Sequence, residues 1–214
     1  MKDAIKAVIL DIDGTLSTEV SWLQLTKSLG ASHEEHLRIF NQFTKNEIDY
    51  ITAKKLLINL WRSTQKANKK SITQIFYSWK LKDDAFDVVE YLKTKYKVCL
   101  MSGSVDLYVR GIAEKLGVSD WYANTELVFD ENDNLVDFHY FRDQAKKKLE
   151  HLNEYLIKSN LSKEVCVIIG NGDSDVILFR ELPYGIAVDT DLHEGVKILA
   201  NRTISNLSEI KTIL

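Results

Sequence analysis

The chain has 214 residues, of which 45% are hydrophobic and 28% charged, and its net charge is −3. This composition fits one α/β domain, alone or with a modest insertion, and excludes a disordered chain. The weakly acidic balance lacks the one-sided basic excess of a nucleic-acid binder, and no apolar run approaches the ~20 residues of a membrane span.

In chain order, residues 1–10 are too short and too interrupted for a signal peptide. Residues 4–10 are largely apolar and end at Asp11, which predicts a strand buried on both faces. Residues 17–80 then show helical periodicity and no strand. They hold Trp22, Trp61 and Trp79, three of the four tryptophans, and carry 10 Lys and Arg against 5 Asp and Glu. We expect an all-helical insertion covering the sheet edge, with a basic surface that draws in anions. Within it, His33 and His36 are spaced as on an exposed helix face and do not suggest a metal site.

Beyond the insertion, strands and helices alternate. Residues 85–95 read as a helix, 98–101 as a strand ending at Ser102-Gly103, and 106–116 as a helix. Residues 124–138 read as a hairpin with a polar turn. Residues 143–158 are helical. Residues 165–169 form a strand that runs into Gly170-Asn171-Gly172-Asp173-Ser174-Asp175. A helix over 174–181, a strand over 184–188 and a helix over 192–200 follow. Cys99 and Cys166 lie within apolar runs and read as buried thiols, which fits a cytoplasmic setting. The alternation predicts an α/β fold with a parallel sheet covered by helices on both faces, and functional residues beyond the carboxyl ends of the strands.

Four elements at those ends carry chemistry. In Asp11-Ile12-Asp13-Gly14-Thr15, residues two apart share a side of the strand, so both carboxylates face one spot. They repel each other unless a proton or a hard cation such as magnesium intervenes. One can then attack phosphorus, and the other can shuttle a proton. Ser102 and Gly103 offer a hydroxyl and backbone N–H groups to an anion. A lysine among Lys146, Lys147 and Lys148 supplies positive charge. The loop from Gly170 to Asp175 supplies oxygen ligands. Phosphoryl transfer needs this set of parts.

These motifs resemble the haloacid-dehalogenase-like hydrolase superfamily, in its phosphoserine-phosphatase-like branch, over nearly the whole chain. The resemblance implies a magnesium-dependent phosphatase with Asp11 as nucleophile, Asp13 as general acid/base, and Ser102 and Gly103 on the phosphate. Gln144-Ala145 places the family lysine at Lys146, and Asp11, Asp13, Asn171 and Asp175 are the expected metal ligands. It also implies a Rossmann-like parallel sheet core over residues 1–16 and 81–214, with a helical cap over 17–80. The substrate class implied is a small phosphorylated metabolite.

Two departures stand out. Asn171 occupies the place of the first Asp in the family's Gly-Asp-x-x-x-Asp motif, which removes a charge from the metal site. In the cap, Val20 and Leu57 stand where the Glu and Arg that hold phosphoserine are expected, which argues against that substrate. A phosphate-sensing protein on the same fold is the alternative. A receiver domain is disfavoured by the helical insertion, and transfer of the phosphoryl group to an alcohol stays open.

Overall fold

The computed structural model describes residues 4–214. Residues 1–3, grouped with the core above, lie outside the described residues. Seven strands form one sheet: β1 (Ala7–Leu10), β2 (Lys97–Val105), β3 (Asp120–Phe129), β4 (Leu135–Tyr140), β5 (Cys166–Gly170), β6 (Tyr184–Val188) and β7 (Arg202–Ile204). Their order is β4-β3-β2-β1-β5-β6-β7. Neighbours are parallel except β3 and β4, which form the antiparallel hairpin. The chain steps from β1 outward to β4, then returns to β5 on the other side of β1. The reversal at β1 and β5 opens a crevice beyond their carboxyl ends.

β1 is buried at every position. Its pleat explains why: Val8 and Leu10 enter one core cluster, and Ala7 and Ile9 enter the other. The first face is covered by α5 (Ala85–Lys93) and α6 (Asp106–Leu116). The second is covered by α7 (Gln144–Ser159), α8 (Val176–Glu181) and α9 (Glu194–Leu199). The sheet and its two helical layers are the expected Rossmann-like arrangement. A short α10 (Ile210–Ile213) packs beside α5.

Four helices stand between β1 and α5: α1 (Ser21–Leu29), α2 (His33–Thr44), α3 (Tyr50–Arg62) and α4 (Lys69–Tyr77). Ser32, Asp49 and Asn68 cap α2, α3 and α4 by accepting from backbone N–H groups at 3.1, 2.7 and 2.9 Å. Each such cap stabilises a helix start by ~1 kcal/mol. Gly30 ends α1 with φ +84°, a conformation that costs glycine nothing. Helices α1, α3 and α4 share the core of the first sheet face, since Leu25, Trp61, Ile72 and Phe76 belong to the same cluster as Val8 and Leu10. A polar knot ties three of them together. Trp61 Nε1 donates to Thr26 Oγ1 at 2.7 Å, and Thr26 Oγ1 lies 2.6 Å from His36 Nδ1. His36 is therefore buried, which corrects its expected place on an exposed face.

Some boundaries also differ from the sequence reading. β1 starts at Ala7 rather than residue 4, β2 runs on to Val105, and β3 begins at Asp120. β7 was not anticipated, because only Ile204 of its three residues is buried. Among the described residues, no helix is long and apolar enough to cross a membrane.

Candidate active site

The crevice holds the motif residues. Asp11 follows β1, and its N–H still donates to Ile169 O on β5 at 3.0 Å, which holds it in the plane of the sheet. Ser102 and Gly103 lie on β2, where three residue steps from Ser102 to Val105 oppose two from Ala123 to Thr125 on β3. A bulge of this kind re-aims side chains at a site. Ser102 is buried, and its Oγ accepts from Ser104 N at 3.2 Å.

Lys148, rather than Lys146, supplies the positive charge. Its Nζ donates to Asp11 Oδ1 at 2.7 Å and to Asp175 Oδ1 at 2.6 Å, and its side chain is fully buried. Lys146 is exposed, with its backbone N–H donating to the capping Asp143 at 2.9 Å. Helix periodicity decides between them. Lys148, Leu152 and Tyr155 lie on one buried face of α7, spaced i, i+4, i+7, and Lys146 is turned away from it. Lys147 pairs with Glu150 at 3.0 Å on the helix flank.

The loop after β5 is arranged differently from the expected ligand set. Asp175 spends both oxygens within the protein. Oδ1 receives Lys148, while Oδ2 accepts from the N–H groups of Asn171 and Gly172 at 3.1 and 2.9 Å. Asp175, expected as a metal ligand, holds Lys148 and the loop with both of its oxygens. The Asn171 amide is also engaged. Its Oδ1 accepts from Thr15 Oγ1 at 3.0 Å, and its Nδ2 donates to Thr190 O at 2.7 Å. Gly14 makes this possible: its φ is +80°, and a Cβ there would fall 2.2 Å from Asn171 Nδ2.

Asp13 faces the crevice from the turn after β1. Its Oδ2 accepts from Ser21 N at 3.0 Å and Ser21 Oγ at 2.5 Å. Ser21 Oγ in turn touches Ser104 Oγ. The other oxygen, Asp13 Oδ1, is buried without a hydrogen-bond partner. Ser104 and Tyr108, which faces Asp13, were not anticipated, because no local pattern marks a residue that meets the site only through the fold.

Three carboxylates and one ammonium leave a surplus of negative charge. Burial, then the charge on Asp175, pushes the Asp11 carboxyl up to about 7, against the pull of Lys148. Burial also raises Asp13, opposed by the Ser21 donors. Burial works against the Lys148 charge, but Asp11 and Asp175 outweigh it and hold the ammonium above its ordinary range.

Among the described residues, no cluster of three or more His, Cys, Asp or Glu is arranged to hold a metal ion. The orphaned Asp13 Oδ1 beside the Asp11 carboxylate nevertheless fits a hard cation that keeps most of its waters and takes one or two carboxylates.

The sequence model of the haloacid dehalogenase-like hydrolase family matches residues 8–180, and the chain belongs to that family. It is similar to phosphoserine phosphatases of two archaea. Identity is 26% over 213 residues with that of Archaeoglobus fulgidus, covering 98% of this chain and 60% of the relative. It is 23% over 190 residues with that of Methanocaldococcus jannaschii, covering 87% of each. The chain thus spans 60% of the length of the first relative. A solved structure described as a phospho-aspartyl intermediate analogue of phosphoserine phosphatase superposes with a TM-score of 0.75 at 22% identity. That match covers 98% of this chain and 99% of the other, and it shows a shared fold.

Proposed function

We propose that the chain is a magnesium-dependent phosphomonoester hydrolase that carries the phosphoryl group on Asp11. The observation that supports this most is the Lys148 ammonium, which holds one oxygen of Asp11 at 2.7 Å while Asp11 itself lines the cavity above. The Asp11 carboxylate attacks phosphorus, and the bond from phosphorus to the leaving oxygen breaks as Asp13 protonates that oxygen. Water then attacks the same phosphorus and gives its proton to Asp13. The bond to Asp11 breaks, and inorganic phosphate leaves. Burial raises the Asp13 carboxyl above the ordinary carboxylate range, which favours the protonated form a general acid needs. Ser102 and Gly103, which line the same cavity, hold the phosphoryl oxygens.

Magnesium would be held by Asp11 and Asp13, with the second lone pair of Asn171 Oδ1 as a further donor. When bound it supplies positive charge against the transferring phosphoryl group. The helices α1–α4 serve as the cap, and a small phosphorylated metabolite is the substrate.

Hydrolysis of an aryl phosphate tests this reading. Turnover that requires magnesium, stops with a chelator and is lost in Asp11→Asn supports it. Undiminished turnover in Asp11→Asn contradicts it. One observation favours a phosphate-sensing protein instead: the Asn171 amide is committed to Thr15 and Thr190 and brings no charge. Binding of beryllofluoride without turnover of any ester would support that second reading.

A further inference from the structure

A cavity of about 490 Å³ opens above Asp11 and Asp13, between the strand ends and α1–α3. This falls within the ~300–1,000 Å³ of pockets that enclose whole organic ligands. Its floor is polar, with Asp11, Asp13, Ser102 and Gly103. Its walls are not, and Trp22, Leu37, Phe43, Phe138 and Tyr140 all face it. Trp22 stands edge-on to Phe138 and Tyr140, with ring centres 5.4 and 6.2 Å apart. Val20 and Phe40 lie at this cavity too, each 50% exposed, so apolar surface continues out to solvent.

Charged partners for a substrate are missing from those walls. Among the described lining residues, the acids are Asp11, Asp13 and Asp175, all belonging to the phosphoryl site. The one lysine is Lys54, already paired with Asp137 at 2.7 Å. His36 also lines the cavity, but its Nδ1 is bonded to the Thr26 hydroxyl. Val20 and Leu57, at the places of the expected cap Glu and Arg, both line it. An ammonium and a carboxylate entering here would lose their water without meeting an unpaired opposite charge on those walls, whereas an apolar group would gain by leaving water.

We propose that the substrate is a phosphate monoester of a bulky apolar alcohol, which the chain converts to the free alcohol and inorganic phosphate. The proposal rests on the phosphatase reading for the chemistry and on the cavity for the leaving group.

The test compares kcat/KM of the full chain with magnesium on four substrates. These are acetyl phosphate, O-phosphoserine, 2-naphthyl phosphate and n-octyl phosphate. We expect at least one apolar ester to exceed phosphoserine by on the order of 100-fold or more. The aryl and alkyl arms tell which apolar group fits. Turnover of acetyl phosphate with phosphoserine equal to or better than both apolar esters overturns this inference and leaves the phosphatase reading standing. Absence of turnover on all four counts against the phosphatase reading.

Binding then decides the inference separately, through quenching of tryptophan fluorescence by unreactive phosphonates. A naphthylmethyl phosphonate should bind on the order of 100-fold more tightly than the phosphonate analogue of phosphoserine. Equal binding overturns the inference. Phe40→Ser, at a half-exposed position, should weaken naphthylmethyl phosphonate binding several-fold without lowering the melting temperature. An unchanged affinity there also counts against it.

Discussion

The Lys148 ammonium and the Asp11 carboxylate meet at 2.7 Å, with the lysine side chain fully buried. Removing one partner of such a pair leaves the other charge uncompensated inside the protein. Lys148→Met should therefore cost about 3–5 kcal/mol of stability, together with loss of phosphatase activity. Lys146→Ala, on the exposed side of α7, should change neither beyond ~0.5 kcal/mol. Urea denaturation and aryl phosphate turnover of the two variants check this.

Metal and proton compete at Asp11. Its carboxyl rises from 3.8 to about 7 on folding without a metal. The folded chain then holds the proton more tightly than the unfolded chain, so this group's contribution to stability is lost as pH rises from about 4 to about 7. Magnesium needs the ionised form. The rise in melting temperature caused by magnesium should be near zero at pH 5 and grow toward pH 8. Melts with magnesium and with chelator across that range measure it, and a shift independent of pH would argue against the assignment.

His36 acts with the opposite sign. Burial pushes its imidazole from 6.5 down to about 4. Between those values the unfolded chain binds the proton and the folded chain does not, so stability falls as pH drops through that window. The full effect is about 3 kcal/mol. His36→Gln should flatten that part of the curve, and comparing denaturation of the two chains at pH 4 and pH 6.5 isolates the difference.

Asn171→Asp has two consequences that can be separated. It replaces the donor to Thr190 O, now at 2.7 Å, with an oxygen facing an oxygen. The metal-free variant should lose about 1–3 kcal/mol. The added charge should make its stabilisation by magnesium larger than that of the parent chain. Thermal melts with chelator and with magnesium read both effects, and equal stability in chelator would show that the amide is not a strut.

Much of this site was legible in the sequence, for local reasons. The run before Asp11 is continuously buried, so strand, turn and carboxylate pair could be read together. Ser102 and Gly103 were legible in the same way, although the bulge that presents them was not. For the lysine two signals compete: the dipeptide Gln144-Ala145 points to Lys146, whereas the phase of α7 aligns Lys148 with the buried Leu152 and Tyr155. That signal was present in the sequence. The engagement of Asn171 by Thr15 was not, since those residues are 156 positions apart. Nor was the burial of His36, which follows from the packing of three helices around Thr26.

The proposed mechanism requires Asp11 to become phosphorylated. The most direct measurement is acid quenching during turnover of an aryl phosphate, then borohydride reduction and peptide mapping. Asp11, and no other residue, should be converted to homoserine, with no conversion in Asp11→Asn. Steady turnover with Asp11 unmodified, or with the label on another side chain, would contradict it.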